Sequence, residues 1–200
     1  MDKPTVTGRF KQIITWRNAS NALFFTVMLL LLFNPTAKGL VVQGLMKVGL
    51  FKPDVKNGAK PVPISANVSL KDKNGNILSL ASLQGKVVFI NFWATWCPPC
   101  RAEMPSINSL HQKLKDDKNI VILMVDIDGN LNKSVAFIKK QNYDLQVYKA
   151  LNAIPSDLLG QAIPATVIIN KNGKLVFKHD GMANYDNNEI LDYLKKLAAD

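Results

Sequence analysis

Cysteine and histidine are nearly absent from this 200-residue chain, which holds two of each. Cys97 and Cys100 are the whole cysteine inventory, so no scaffold of structural disulfides can be built. A closed structural zinc site needs four ligands, and His111 and His179 do not follow the pair at finger spacing. Acidic residues are scarce in the first sixty positions, where only Asp2 and Asp54 stand against nine Lys or Arg. Elsewhere the basic residues are scattered without interleaved aromatics, which gives no support to nucleic-acid binding. There is no internal repeat and no low-complexity tract. With 48% apolar and 20% charged residues the chain can bury a core, and its length allows one ordinary domain with an added segment.

Charge is missing altogether from Asn18 to Ala37, and within that run Ala22 to Phe33 is apolar except for Thr26. Twenty residues at about 1.5 Å each match a bilayer core of ~30 Å. Lys3, Arg9, Lys11 and Arg17 precede the run, in the order of an export signal or signal anchor. Its exit, Asn34-Pro35-Thr36-Ala37, lacks an A-x-A cleavage pattern, and the reading favours an uncleaved anchor over a removed signal. The expected organisation is a cytoplasmic n-region at 1–21, a transmembrane anchor at 22–37, an amphipathic segment and linker at 38–63, and a folded domain at 64–200. Val41, Leu45 and Val48 fall at helical spacing for a surface helix, and three prolines mark the stretch 52–63 as linker. The domain would then lie outside the cytoplasm, although lysines at 38, 47 and 52 leave the positive-inside bias small.

The remainder alternates strand and helix. Strands are expected at 68–70 and 77–80, joined by the turn Lys73-Asn74-Gly75-Asn76. A continuous apolar strand runs from Val87 to Trp93, followed by a helix at 98–115, a strand at 120–125, a helix at 133–140 and a short strand at 146–148. A second hairpin at 166–169 and 175–178 turns through Asn170 to Gly173, and Asn188 to Leu197 closes the chain as a helix. The pattern implies an α/β mixed sheet with helices on both faces.

Cys97 and Cys100 sit where the buried strand passes into a helix, the place at which open α/β sheets put their functional groups. At a helix start a thiolate is stabilised by the macrodipole and by free N–H groups, so Cys97 is the expected nucleophile. Cys100, three residues on, shares its helical face and can resolve a mixed disulfide. Pro98 and Pro99 fit the first turn, where a missing N–H costs no helix bond. Glu103 lies a further three residues along, where its carboxylate can accept the proton of Cys100; the alternative is a solvated acid near a helix N-terminus. Asp126, Asp128, Gly129 and Asn130 superficially suggest calcium, but the glycine stands at the fourth loop position and Phe137 replaces the bidentate glutamate; they read as the polar end of a strand.

The string Phe92 to Cys100, then Arg101-Ala102-Glu103-Met104-Pro105, and Ile163-Pro164 before an apolar strand resemble the thioredoxin superfamily. Within it they resemble the membrane-anchored TlpA and ResA type of thiol-disulfide oxidoreductase. The resemblance implies a thioredoxin-like fold, a redox-active Cys97–Cys100 disulfide, no other cofactor and no metal. It also implies a cis proline at Pro164 facing the cysteines, a glutamate at 103 lining the site, and client contacts at Trp96, Ile163 and Pro164. The long spacing from Cys100 to Pro164 leaves room for the extra helix and strand that this subgroup inserts. Implied partners are exported thiol or disulfide proteins, apocytochrome cysteines among them, and a membrane electron donor, with reduction the expected direction. Asn91 departs from plain thioredoxins, which carry a buried aspartate there, and an amide cannot titrate. The competing function is a copper-binding chaperone using the two thiols as soft ligands, although the wider cysteine spacing and third ligand histidine of such proteins are not evident.

Overall fold

The computed structural model describes residues 16–33, 41, 44–45, 51, 53, 55, 61–64 and 67–200. They fall into two compact units, 1–41 and 42–200. In the first, helix α1 covers Trp16–Phe33. Leu23, Phe24, Phe25 and Phe33 are exposed on it, and Thr26 satisfies its hydroxyl by donating to the Ala22 carbonyl at 2.8 Å. Among the described residues no helix is long and apolar enough to cross a membrane. The n-region before residue 16 and most of the expected surface helix and linker lie outside the described residues.

The second unit is built on eight strands: β1 (Val62–Pro63), β2 (Ser69–Asp72), β3 (Ile77–Ser79), β4 (Val87–Trp93), β5 (Ile120–Asp126), β6 (Val147–Ala150), β7 (Ala165–Ile169) and β8 (Lys174–Asp180). Their order across the sheet is β1-β8-β7-β4-β5-β6-β2-β3, with β4, β5 and β6 parallel and the other pairs antiparallel. Helices α2 (Pro98–Leu114), α3 (Leu131–Lys140) and α4 (Asn188–Ala199) complete it.

Both hairpins close as their turn residues require. Asp72 Oδ1 accepts the N–H groups of Asn74 and Asn76, with Gly75 at φ +90°. Asn170 Oδ1 accepts those of Asn172 and Lys174, with Gly173 at φ +70°. Each glycine takes the left-handed conformation that a side chain would strain.

Strand β4 is buried throughout, because it is central and its side chains alternate between two cores. Val87, Phe89 and Trp93 join one, with Met104, Ile107 and Leu110 of α2 and Ile190 and Leu194 of α4; Val88, Ile90 and Phe92 join the other. Helix α3 packs on the first face as well, through Ile138. The expectation of helices on both faces is therefore corrected. The units β4-α2-β5 and β5-α3-β6 step the same way across the sheet, and two crossovers of the usual right hand stepping the same way lay both helices on one side. The opposite face is covered by a single 3-10 turn, Leu80–Leu83, and by the loop 151–164 through Leu158, which is fully buried.

A second correction concerns the linker. Val62 and Pro63 pair with β8 at the sheet edge, a position that accepts a proline. Val55 is buried in the first core, and the Phe51 carbonyl accepts the Asn184 N–H at 2.7 Å. The domain thus gathers residues from before 64, and two strand residues containing a proline carry no periodicity to reveal it.

Candidate active site

The parallel strand β4 delivers its C-terminal end to the start of α2, and Cys97 is the N-cap residue of that helix rather than its first turn. Its sulfur accepts the Cys100 N–H at 3.2 Å, one of the four amides that a helix start leaves unpaired. Cys97 and Cys100 form a disulfide, with an S–S distance of 2.02 Å. Both cysteines are enclosed in this oxidised state, Cys97 exposing 2% of its surface and Cys100 none. Pro98 and Pro99 are exposed at the first turn.

The chain returns to this point through the loop 151–164. The Ile163–Pro164 peptide bond is cis, as the resemblance implied. Cys97 Sγ lies 4.0 Å from the Ile163 carbonyl oxygen; a disulfide sulfur carries no proton, so this is a contact and not a hydrogen bond. Pro164 is buried and Ile163 half-buried. Strand β8 steadies the loop, where Lys178 Nζ donates to the carbonyls of Ser156 and Asp157 at 3.2 and 3.0 Å.

Glu103 is fully buried on the inner side of α2 and not a solvated surface acid. Asn91 Nδ2 donates to its Oε1 at 2.7 Å and the Ala183 N–H to its Oε2 at 3.1 Å. Both bonds favour the charged form, yet burial dominates and pushes the carboxyl from 4.5 up to about 8. A carboxyl biased toward its neutral form is therefore held one helical turn from Cys100. Tyr185, whose ring meets Phe89 edge-on at 5.2 Å, feels both burial and the Glu103 charge, and its hydroxyl is pushed well above the usual phenol range.

Trp96 is exposed, and its indole N–H donates to Asp128 Oδ2 at 2.6 Å. Asp128 is in turn set by the buried Asp126, whose Oδ1 accepts the Asp128 N–H and whose Oδ2 accepts the Ser134 hydroxyl. The acidic cluster set aside as a strand end thus reaches the site, a role that its spacing from Trp96 gave no means to foresee. Trp93 lies in the core beside Phe137, over which the Arg101 guanidinium sits at 5.3 Å. Asn91, Ala183 and Asp128 are the site residues that sequence reasoning did not assign. Among the described residues no group of three or more His, Cys, Asp or Glu is arranged to hold a metal ion.

A mixed sheet with a helix-capping cysteine, a second cysteine three residues on in disulfide with it, and a cis Ile163–Pro164 bond whose Ile163 carbonyl meets the first sulfur defines a thiol-disulfide oxidoreductase of thioredoxin-like fold. Residues 53–194 match the Redoxin family, and the chain belongs to it. A thiol-disulfide oxidoreductase ResA of Bacillus cereus is 33% identical over 181 residues, spanning 88% of this chain and 97% of the relative. Among solved structures, a Chlorobium tepidum protein assigned as the thiol:disulfide interchange protein DsbE shares 27% identity at a TM-score of 0.57, covering 71% of this chain and 99% of that one. The exposed lipoprotein thioredoxin of Streptococcus pneumoniae shares 28% at 0.51, covering 64% and 97%.

Proposed function

We propose that the chain is a membrane-tethered reductase of disulfides in exported proteins, working on the extracytoplasmic side and recharged by a membrane electron donor. The observation that carries this reading is the Cys97–Cys100 disulfide at the start of α2 with the buried Glu103 carboxyl on the same helix.

In the forward half-reaction the Cys97 thiolate attacks a client disulfide and one client sulfur leaves as thiolate. Cys100 then gives its proton to the Glu103 carboxylate and attacks Cys97 Sγ. The second client sulfur leaves, so the client gains two electrons and the cysteine pair loses them. The disulfide state with a proton on Glu103 is the product of that sequence, and burial is what lets the acid keep the proton near neutral pH. When a donor dithiol reopens the bond, the proton returns from Glu103 to the departing Cys100 sulfur. Trp96, Ile163 and Pro164 flank Cys97 as the client-facing surface, with the Ile163 backbone offered to an extended client segment.

Tethering is supported by the charge-free run from Asn18 to Ala37 with basic residues before it, of which α1 occupies the part to Phe33. The subgroup resemblance supports reduction as the direction and exported thiols, apocytochrome cysteines included, as clients. The deciding measurement is the equilibrium potential of the full chain against glutathione. A value near the ~−270 mV of thioredoxin supports a reductase, and one near the ~−120 mV of DsbA reassigns it as an oxidant. Carbonate extraction and protease treatment of spheroplasts test the location, and a soluble product beginning near residue 38 would show the run to be a removed signal.

A further inference from the structure

Glu103 meets a side chain that has more to offer than the bond it makes. Asn91 Nδ2 bridges Glu103 Oε1 at 2.7 Å and Thr166 Oγ1 at 2.9 Å, and Asn91 and Thr166 stand directly opposite each other in the β4–β7 register. All three side chains are fully buried. The other end of the amide, Oδ1, is buried and meets no donor among the described residues. The titratable groups facing the carboxyl are Tyr185 from the loop 181–187 and, once reduced, Cys100 from its own helix. Strands β4 and β7 bring only the amide and hydroxyl of Asn91 and Thr166.

We infer that Asn91 is a positioning residue for Glu103, whose side-chain amide donates N–H to the carboxylate and turns half a revolution to accept the O–H of the protonated acid. The inference rests on the reading of Glu103 as proton carrier for Cys100. An ionised carboxyl only accepts hydrogen bonds, whereas a protonated one must also donate. The Ala183 N–H serves the first need and cannot serve the second. A half-turn of the Asn91 amide puts Oδ1 in the place of Nδ2, where its two lone pairs take the Glu103 O–H and the Thr166 O–H together. Thr166 fits this exchange because a hydroxyl both donates and accepts. The turn leaves one amide atom unpartnered in either orientation, so loading and unloading the proton strands no additional polar group. Aspartate at this position could not do the same, since its ionised form has no N–H and sets a second negative charge against the first.

The test follows the rate at which dithiothreitol reduces Cys97–Cys100 in the full chain from pH 5 to 9.5, with the infrared C=O stretch of protonated Glu103 recorded in parallel. Glu103→Gln should remove the carboxyl inflection. Asn91→Ala, which deletes a charge-assisted bond to the carboxylate and a weaker neutral bond to the acid, should move that inflection upward by about half a unit to one unit, and Asn91→Asp should move it further. Thr166→Val, a milder change, should shift it in the same direction. The double variant Asn91→Ala with Glu103→Gln should match Glu103→Gln alone. Asn91→Ala should also move the acid C=O band toward that of an unbonded carboxyl. An inflection left in place by both Asn91→Ala and Thr166→Val, or an acid band that Asn91→Ala does not move, overturns the inference while the Glu103 reading stands. An inflection that survives Glu103→Gln overturns the Glu103 reading itself. If Asn91→Ala fails to fold, Thr166→Val decides by the same two readouts.

Discussion

Trp96 and Asp128, 32 residues apart, are joined by a 2.6 Å hydrogen bond from the indole N–H to Oδ2, fixing the exposed ring directly before Cys97 to the loop after β5. The anchor is itself braced, because Asp126 binds the Asp128 N–H and the Ser134 hydroxyl of α3. Helix α3 and the Trp96 ring are thereby one connected piece.

Asp128→Ala should accordingly weaken client recognition and leave the disulfide chemistry alone. A bond to a charged group is worth ~1.5–3 kcal/mol when desolvated and less at an exposed position, which sets a ceiling of about tenfold on the rise in KM. Exchange with a peptide disulfide and with dithiothreitol should be compared. An equal loss in both would mean that the ring is not a client contact.

The stability of the oxidised protein should fall as pH rises. Glu103 titrates near 8 in the fold against an ordinary 4.5, so across that interval the unfolded chain releases its proton while the folded one keeps it. The stabilisation is complete below about 4.5 and is lost as pH climbs toward about 8, a change of order a few kcal/mol. Glu103→Gln should flatten the slope. Urea unfolding at pH 5, 7 and 9 measures it, and a slope that persists in the variant would assign it to another group.

Reduced protein treated briefly with iodoacetamide at neutral pH should carry the label on Cys97. The Cys97 sulfur sits at the helix start and accepts the Cys100 N–H, an arrangement that favours a thiolate there, whereas Cys100 is fully buried. Cys97→Ser should abolish exchange, and Cys100→Ser should accumulate mixed disulfides with clients, visible as adducts on non-reducing gels. Faster labelling of Cys100 would reverse the two roles.

Leu158 is the anchor of the loop that carries Ile163 back to the sulfur, and it is fully buried. Leu158→Ala should cost ~2–5 kcal/mol in urea unfolding. Lys178→Met, which frees the carbonyls of Ser156 and Asp157 beside Leu158, should leave dithiothreitol reduction unchanged and raise the KM for a peptide disulfide.

What the sequence determined by itself is the set of local elements and the location of the chemistry. Burial on both faces writes a continuous apolar run from Val87 to Trp93, a half-buried helix writes the spacing of Ile190 and Leu194, and the two glycine turns mark their hairpins. The cysteine pair at a strand-to-helix junction needs nothing beyond neighbouring residues to be recognised. Tertiary structure alone decided which distant groups close around it. Ala183 reaches Glu103 from 80 positions away, Thr166 reaches Asn91 from 75, and Asp128 reaches Trp96 from 32. The side occupied by α3 and the pairing of Val62–Pro63 with β8 were likewise settled only by assembly. The physical reason is common to all of them. Periodicity reports how much of each residue is buried, but strand register and crossover direction decide what it is buried against, and neither leaves a mark on the residues next to it in the chain.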